Sequence, residues 1–135
     1  MTTHLTFENP HALGPARGYS HLALVSGKSL VFISGQVGST PEAPDAPPGD
    51  FGAQTDRVFA NLQTAAGAVG TSFADIAKLN IYIVNTVKRT ELAPLLAAIT
   101  RHAGSGPSPA STLVFVSGLI HPQWLIEVEA IAVMA

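Results

Sequence analysis

Leu30-Val31-Phe32-Ile33-Ser34-Gly35-Gln36-Val37 is the stretch that decides the fold. Four bulky apolar residues in a row, two of them β-branched, favour an extended strand over a helix. Side chains alternate across a strand, so Leu30 and Phe32 point one way and Val31 and Ile33 the other. Both faces of the sheet that contains this strand are therefore apolar.

Upstream, Leu22–Val25 is a second β-type run. The turn-like Ser26-Gly27-Lys28-Ser29 separates the two, and they read as a hairpin. A further short strand is expected near Leu5–Phe7. Downstream, Thr40–Asp50 (TPEAPDAPPGD) holds four of the ten prolines and reads as a surface loop. Phe51–Val69 reads as a helix: Asp50 can cap it, Phe51, Val58, Leu62, Ala65 and Val69 recur on one face, and Gly70 ends it. Leu79–Val84 alternates as a strand, with Leu79, Ile81 and Ile83 on one face. A second helix spans Leu92–His102, where Pro94 is tolerable only in the first turn. Gly104–Pro109 is a loop, and strands Ser111–Val116 and Leu125–Val133 follow.

The order is β-hairpin, α, β, α, β, β, which predicts an α+β sandwich of two helices on one mixed sheet. Two helices cover only one face of such a sheet. The other apolar face needs a partner, and a second copy of the chain is the expected one. Composition points the same way. In 135 residues, enough for one domain, 47% are hydrophobic and only 12% charged, so there are few charges with which to cover a small monomer. The net charge is -2, from 7 Lys+Arg against 9 Asp+Glu, and the basic residues are scattered. Nucleic-acid and anionic-membrane surfaces need clustered positive charge, so neither partner is expected. The absence of cysteine excludes disulfides, thiolate metal sites and a cysteine nucleophile. Met1-Thr2-Thr3-His4 opens no signal peptide, and no run reaches the roughly 18–20 apolar residues of a membrane helix, so a cytoplasmic location is expected.

Chemistry concentrates on the last strand. Ile126, Val128, Ala130 and Ala132 share one face; Leu125, Glu127, Glu129, Ile131 and Val133 share the other. Two carboxylates at i and i+2 stand about 7 Å apart. Partial burial and mutual repulsion would raise the pKa of one of them, which suits a general acid or base. The alternative is a solvated edge, or carboxylates that accept neighbouring hydrogen bonds. Ser34-Gly35 ends a strand with small residues, which marks either a close approach by another group or a bulge. Ser111-Thr112 offers two hydroxyls at a strand entry. The five histidines show neither HxH nor HxxxH spacing, so no metal site is expected, and there is no GxSxG elbow, GxGxxG or P-loop.

Several of these pieces, in this order, resemble the Rid family (YjgF, reactive intermediate deaminases, once called endoribonuclease L-PSP). The matching residues begin with Gly18-Tyr19-Ser20-His21 and Val31-Phe32-Ile33-Ser34-Gly35-Gln36. Gln54 and Asn61-Leu62 follow, then Asp75-Ile76-Ala77-Lys78-Leu79 and Tyr82-Ile83. Pro109-Ala110-Ser111-Thr112 and Ile126-Glu127-Val128-Glu129-Ala130-Ile131-Ala132-Val133 complete the set, which spans nearly the whole chain. The resemblance implies a chorismate-mutase-like fold, a homotrimer with ligand clefts between subunits, hydrolysis of reactive enamines and imines, and no cofactor. It assigns water activation to Glu127 with the help of Tyr19, and substrate contacts to Ser34, Gly35, Ser111, Thr112 and Leu113.

One departure stands out. Deaminating members carry a carboxylate-gripping arginine after Pro-Ala; here Ser111 stands in its place, and Leu113 where many have cysteine. A serine hydroxyl does not replace a bidentate guanidinium, whose hydrogen bonds to a charged partner contribute about 1.5–3 kcal/mol each. Ordinary 2-imino acids are therefore expected to be poor substrates unless Arg17 or Arg89 supplies a cation from elsewhere. Three functions follow: hydrolysis of an imine, enamine or related C–N bond in a neutral or weakly charged substrate, a non-catalytic metabolite-binding or sensing trimer, and ribonuclease activity. The last is disfavoured by the net charge and by the lack of a histidine pair or metal site.

Overall fold

In the computed structural model, which describes residues 4–27, 29–40 and 43–135, the sequence patterns resolve into strands β1 (Leu5–Glu8), β2 (Leu22–Val25), β3 (Ser29–Gln36), β4 (Ile76–Val84), β5 (Ala110–Val116) and β6 (Ile126–Met134). Helices α1 (Phe51–Gly67) and α2 (Ala93–Ala103) complete the set. Met1, Thr2 and Thr3, Lys28 of the expected turn, and Pro41 and Glu42 of the proline-rich loop lie outside the described residues.

The expected hairpin is the main correction. β2 pairs antiparallel with β1, from Leu5↔Val25 to Glu8↔Leu22, while β3 pairs with β6. The eight-residue β3 gains a far longer ladder from the nine-residue β6 than the four-residue β2 offers. The connection between β2 and β3 instead lies tightly over the end of β6, where a Cβ added to Gly27 would lie 2.4 Å from the Met134 carbonyl oxygen. The main sheet has the order β3-β6-β4-β5, with β4 and β5 parallel across the α2 crossover and the other pairs antiparallel.

The helices form where capping and periodicity require. The Asp50 carboxylate accepts the Ala53 N–H at 2.9 Å, and Pro94 sits in the first turn of α2. α1 ends at Gly67 rather than Val69, and Val69 is exposed rather than part of the buried face. The stop signal is nevertheless Gly70. At φ +77° it turns the chain so that Gly70 N–H bonds the Gly67 carbonyl and Thr71 N–H the Ala66 carbonyl, a Schellman arrangement.

Both helices lie on one face of the sheet. Val58, Phe59 and Leu62 of α1 and Leu95 and Ile99 of α2 bury against Leu79, Ile81, Ile83, Ile126, Val128, Ile33 and Val31. At roughly 1.5–3 kcal/mol for each fully buried large side chain, this layer dominates the favourable side of folding. The opposite face carries a polar ribbon of Lys78, Asn80, Tyr82, Thr112, Glu127 and Glu129, placed there by the ladder register. Leu30, at 51% exposure, and Phe32, at 72%, flank it on β3, with Val114 exposed on β5. The β1–β2 hairpin covers only one end of this face, where Leu5, Ala77 and Val133 form a second small core. Both faces are thus apolar in part, as the β3 run requires, and one is open. Among the described residues no helix is long and apolar enough to cross a membrane.

Candidate functional site

Gly18-Tyr19-Ser20-His21 works as a unit. Gly18 takes φ +76°, a conformation that favours glycine, and turns the chain toward the start of β5. Ser20 is buried: its N–H bonds the Pro109 carbonyl at 3.1 Å, its hydroxyl donates to the Ser108 carbonyl at 2.6 Å, and it forms a parallel bridge with Ala110. His21 donates through Nε2 to the Gly14 carbonyl at 3.1 Å and packs edge-on against Tyr19, with ring centroids 5.2 Å apart. Tyr19 is thereby held beside Ser111. With Arg17, Gly18 and Leu113 the two line a pocket of about 250 Å³. Its remaining wall is aliphatic, made by Ile81 of β4 and Leu95, Leu96 and Ile99 of α2.

The second group of candidates gathers elsewhere. Ile33 pairs with Ala130 and Gln36 with Val128, so Ser34 and Gly35 together stand opposite Glu129 alone. This is a β-bulge. At the bulge the backbone of Gly35 lies against the Glu127 side chain so closely that a Cβ there would be 2.6 Å from Oε1. The two readings of Ser34-Gly35, a bulge and a close approach, are both correct. Glu127 is half-buried, and its carboxylate has no hydrogen-bond partner among the described residues.

Glu129 is different. Its Oε1 accepts the Tyr82 hydroxyl at 2.5 Å and the Asn80 amide at 3.4 Å. The hydrogen bond to Glu129 pushes the Tyr82 pKa above its ordinary value, with partial desolvation and the negative charges of Glu129 and Glu127 adding to the effect. The carboxylate pair is therefore unequal: Glu129 is engaged and Glu127 is open. Tyr82 and Asn80 were not among the sequence candidates. Their signal was present in the alternation of β4, but it becomes readable only once β4 is known to lie beside β6, with Tyr82 opposite Glu127 and Asn80 opposite Glu129.

Within one chain the candidates fall into two half-sites on opposite faces of the sheet. Tyr19, Ser111 and Leu113 meet on the helix side, since Ser111 and Leu113 pair with the core residues Leu79 and Ile81. Glu127 and Gly35 meet on the open side. Thr112 also faces the open side, where its hydroxyl accepts from Lys78 Nζ at 2.7 Å. Of the two alternative cations, Arg17 enters the Ser111 pocket, while the Arg89 guanidinium lies 4.7 Å from the Phe115 ring centroid. Among the described residues no group of three or more His, Asp or Glu side chains is placed to hold a metal ion.

Comparison with known proteins follows this geometry. Residues 9–134 match the family model described as Endoribonuclease L-PSP. A RutC family protein of Pyrococcus abyssi is 31% identical over 94% of this chain and 92% of its own. A 2-iminobutanoate/2-iminopropanoate deaminase of Dermatophagoides farinae is 26% identical over 93% of this chain and 90% of its own. The crystal structure of a Rid family protein from Yersinia pestis superposes with a TM-score of 0.92 at 29% identity, covering 98% of this chain and all of that one.

Proposed function

The chain belongs to the Endoribonuclease L-PSP family, the Rid/YjgF proteins, and from that premise we propose that it is a trimeric, cofactor-independent hydrolase of imines or enamines. The observation that carries this reading is the open Glu127 carboxylate, held at the Gly35 bulge without a hydrogen-bond partner among the described residues, while its neighbour Glu129 is engaged by Tyr82. A half-buried carboxylate with free lone pairs is suited to take a proton from water. The hydroxide adds to the imine carbon, and the C=N bond becomes single as the nitrogen takes up a proton. The resulting carbinolamine expels ammonia and leaves the carbonyl product. Water supplies the oxygen and two hydrogens, so the reaction balances with no redox partner. The deaminase of Dermatophagoides farinae, a relative at 26% identity, supports this reaction class.

Ser111 limits the substrate. Without an arginine on β5, the α-carboxylate of an ordinary 2-imino acid lacks its bidentate clamp, so such imines should turn over poorly. Ser111 is also what favours the second reading, a non-catalytic trimer that binds or senses a metabolite.

The separation of the half-sites supports assembly. The pocket of Tyr19 and Ser111 is lined by no carboxylate, Glu127 stands on the other face of the sheet, and a head-to-tail contact would bring one copy's pocket to the next copy's carboxylate. Such a contact closes into a ring where its rotation allows, and the exposed Leu30, Phe32 and Val114 are available to bury in it.

The test is a screen of purified protein against imines generated in situ, read as ammonia or carbonyl release. For any substrate found, Glu127→Gln should cut turnover by about 10²–10⁴-fold and leave assembly intact. Mixing Glu127→Gln chains with Tyr19→Phe chains under exchange should restore about a quarter of the sites by random pairing, if each site spans two copies. Full turnover by Glu127→Gln would remove the water-activating role, and turnover of no imine at all would leave the binding reading.

A further inference from the structure

Tyr82 has two carboxylates within reach and bonds only one. In the β4–β6 ladder it stands directly opposite Glu127, with Glu129 on the diagonal of the same face. Directly opposed Cβ atoms lie about 4.5–5.5 Å apart and diagonal ones about 7–8 Å, and an aromatic side chain spans both. The hydroxyl nonetheless donates to the diagonal residue, at 2.5 Å from Glu129 Oε1, and the same oxygen accepts the Asn80 amide at 3.4 Å. Glu127, the direct neighbour across the ladder, has no hydrogen-bond partner among the described residues. The hydrogen bond to Glu129 is the first cause of the raised Tyr82 pKa, and the charge of Glu127 also contributes, so the second carboxylate is close enough to compete for the phenol.

We propose that Glu129 is a positioning residue for Glu127: by holding the Tyr82 hydroxyl on the diagonal, it keeps the lone pairs of Glu127 free for water. A phenol O–H on Glu127 would fill an acceptor site that the attacking water needs. It would also stabilise the ionised carboxylate and so weaken it as a base. A carboxylate is a much stronger acceptor than a neutral group, so once Glu129 is removed the phenol's best acceptor on this face is Glu127. Asn80 stands opposite Glu129, and its amide helps to keep that carboxylate on the diagonal. The second glutamate of the strand is thus not a second base. It occupies the donor that would otherwise cap the first. This rests on reading Glu127 as the group that activates water.

The crystal structure of the Glu129→Ala protein is the direct test, since it needs no substrate. The Tyr82 oxygen should lie within about 2.5–3.0 Å of a Glu127 oxygen. Glu129→Gln keeps the side chain's size should the smaller residue fail to fold, and it should show the same switch, because the remaining carboxylate outcompetes a neutral amide. A hydroxyl that turns to solvent in the first variant, or stays on residue 129 in the second, would overturn the proposal. For any imine substrate found, Glu129→Ala should lower kcat about tenfold, and adding Tyr82→Phe should recover most of that loss. Both proteins lack the Glu129 charge, so the recovery isolates the phenol, and a merely structural defect is not repaired by a second deletion. Wild-type turnover by Glu129→Ala, or a loss that Tyr82→Phe does not relieve, also overturns it. If the hydroxyl switches but no imine is turned over, hydrolysis fails as the function and Glu129 still stands as what keeps Glu127 open. If imines are turned over but the hydroxyl does not switch, hydrolysis stands and the role of Glu129 alone fails.

Discussion

An alanine at position 35 would place its Cβ 2.6 Å from Oε1 of Glu127 and 2.8 Å from Cδ. Contacts that short do not persist, and the side chain has more freedom to move than the strand. Gly35 does not need a positive φ, so the backbone tolerates a side chain there. Gly35→Ala is therefore expected to swing the carboxylate away, lowering any Glu127-dependent turnover by at least about tenfold, within the range a positioned base supplies. Unfolding in urea should change by less than about 1 kcal/mol. A variant with normal turnover would show that the carboxylate does not need its place against the bulge. Glu127 and Gly35 were both readable in the sequence as candidates, one from its face on the last strand and one from its size. That they touch was not readable, because the contact depends on which strand β6 chooses as a neighbour.

Strand pairing is where the sequence alone misled. Leu22–Val25 and the β3 run are separated by a turn-like segment, and local spacing favours pairing neighbours in the chain. The choice was decided by ladder length and by the fit of Gly27 over Met134, both of which depend on β6, a strand about 100 residues away. Helices fared better because their signals are local. Asp50, Pro94 and Gly70 act on their own turns. The β4–β6 ladder carries a pH consequence. Tyr82 has a pKa raised above 10.0 in the folded chain, first because its hydroxyl donates to Glu129. Its stabilising contribution is then complete below the unfolded value near 10 and is lost as the pH rises through the folded value. Tyr82→Phe should be less stable than the wild type at neutral pH, and the gap should narrow above pH 10 when both are unfolded in urea. A gap that stays constant across that range would mean that the phenol does not titrate against Glu129.

At the scale of the whole molecule, an open sheet face with Phe32 at 72% exposure and Leu30 at 51% calls for a cover. Light scattering at micromolar concentration is expected to report about three chains, and Phe32→Asp to shift the population toward one chain while the far-ultraviolet spectrum is kept. A wild-type monomer would sink the assembly and with it the two-copy site. Composition pointed to this face before any geometry did, through the low share of charged residues. What composition did not convey is that a polar ribbon crosses it, since that requires β4, β5 and β6 to be laid side by side.

The fully buried Gln54 gives this architecture one further property. Its amide donates to the carbonyls of Pro47 and Gln123, at 2.8 and 2.9 Å, and its oxygen accepts the Leu125 N–H at 2.8 Å. One side chain thus moors the end of the proline-rich loop, the end of the β5–β6 loop and the residue just before β6. Loop residues that make none of these contacts can change while the strand that bears Glu127 still departs from the same fixed point.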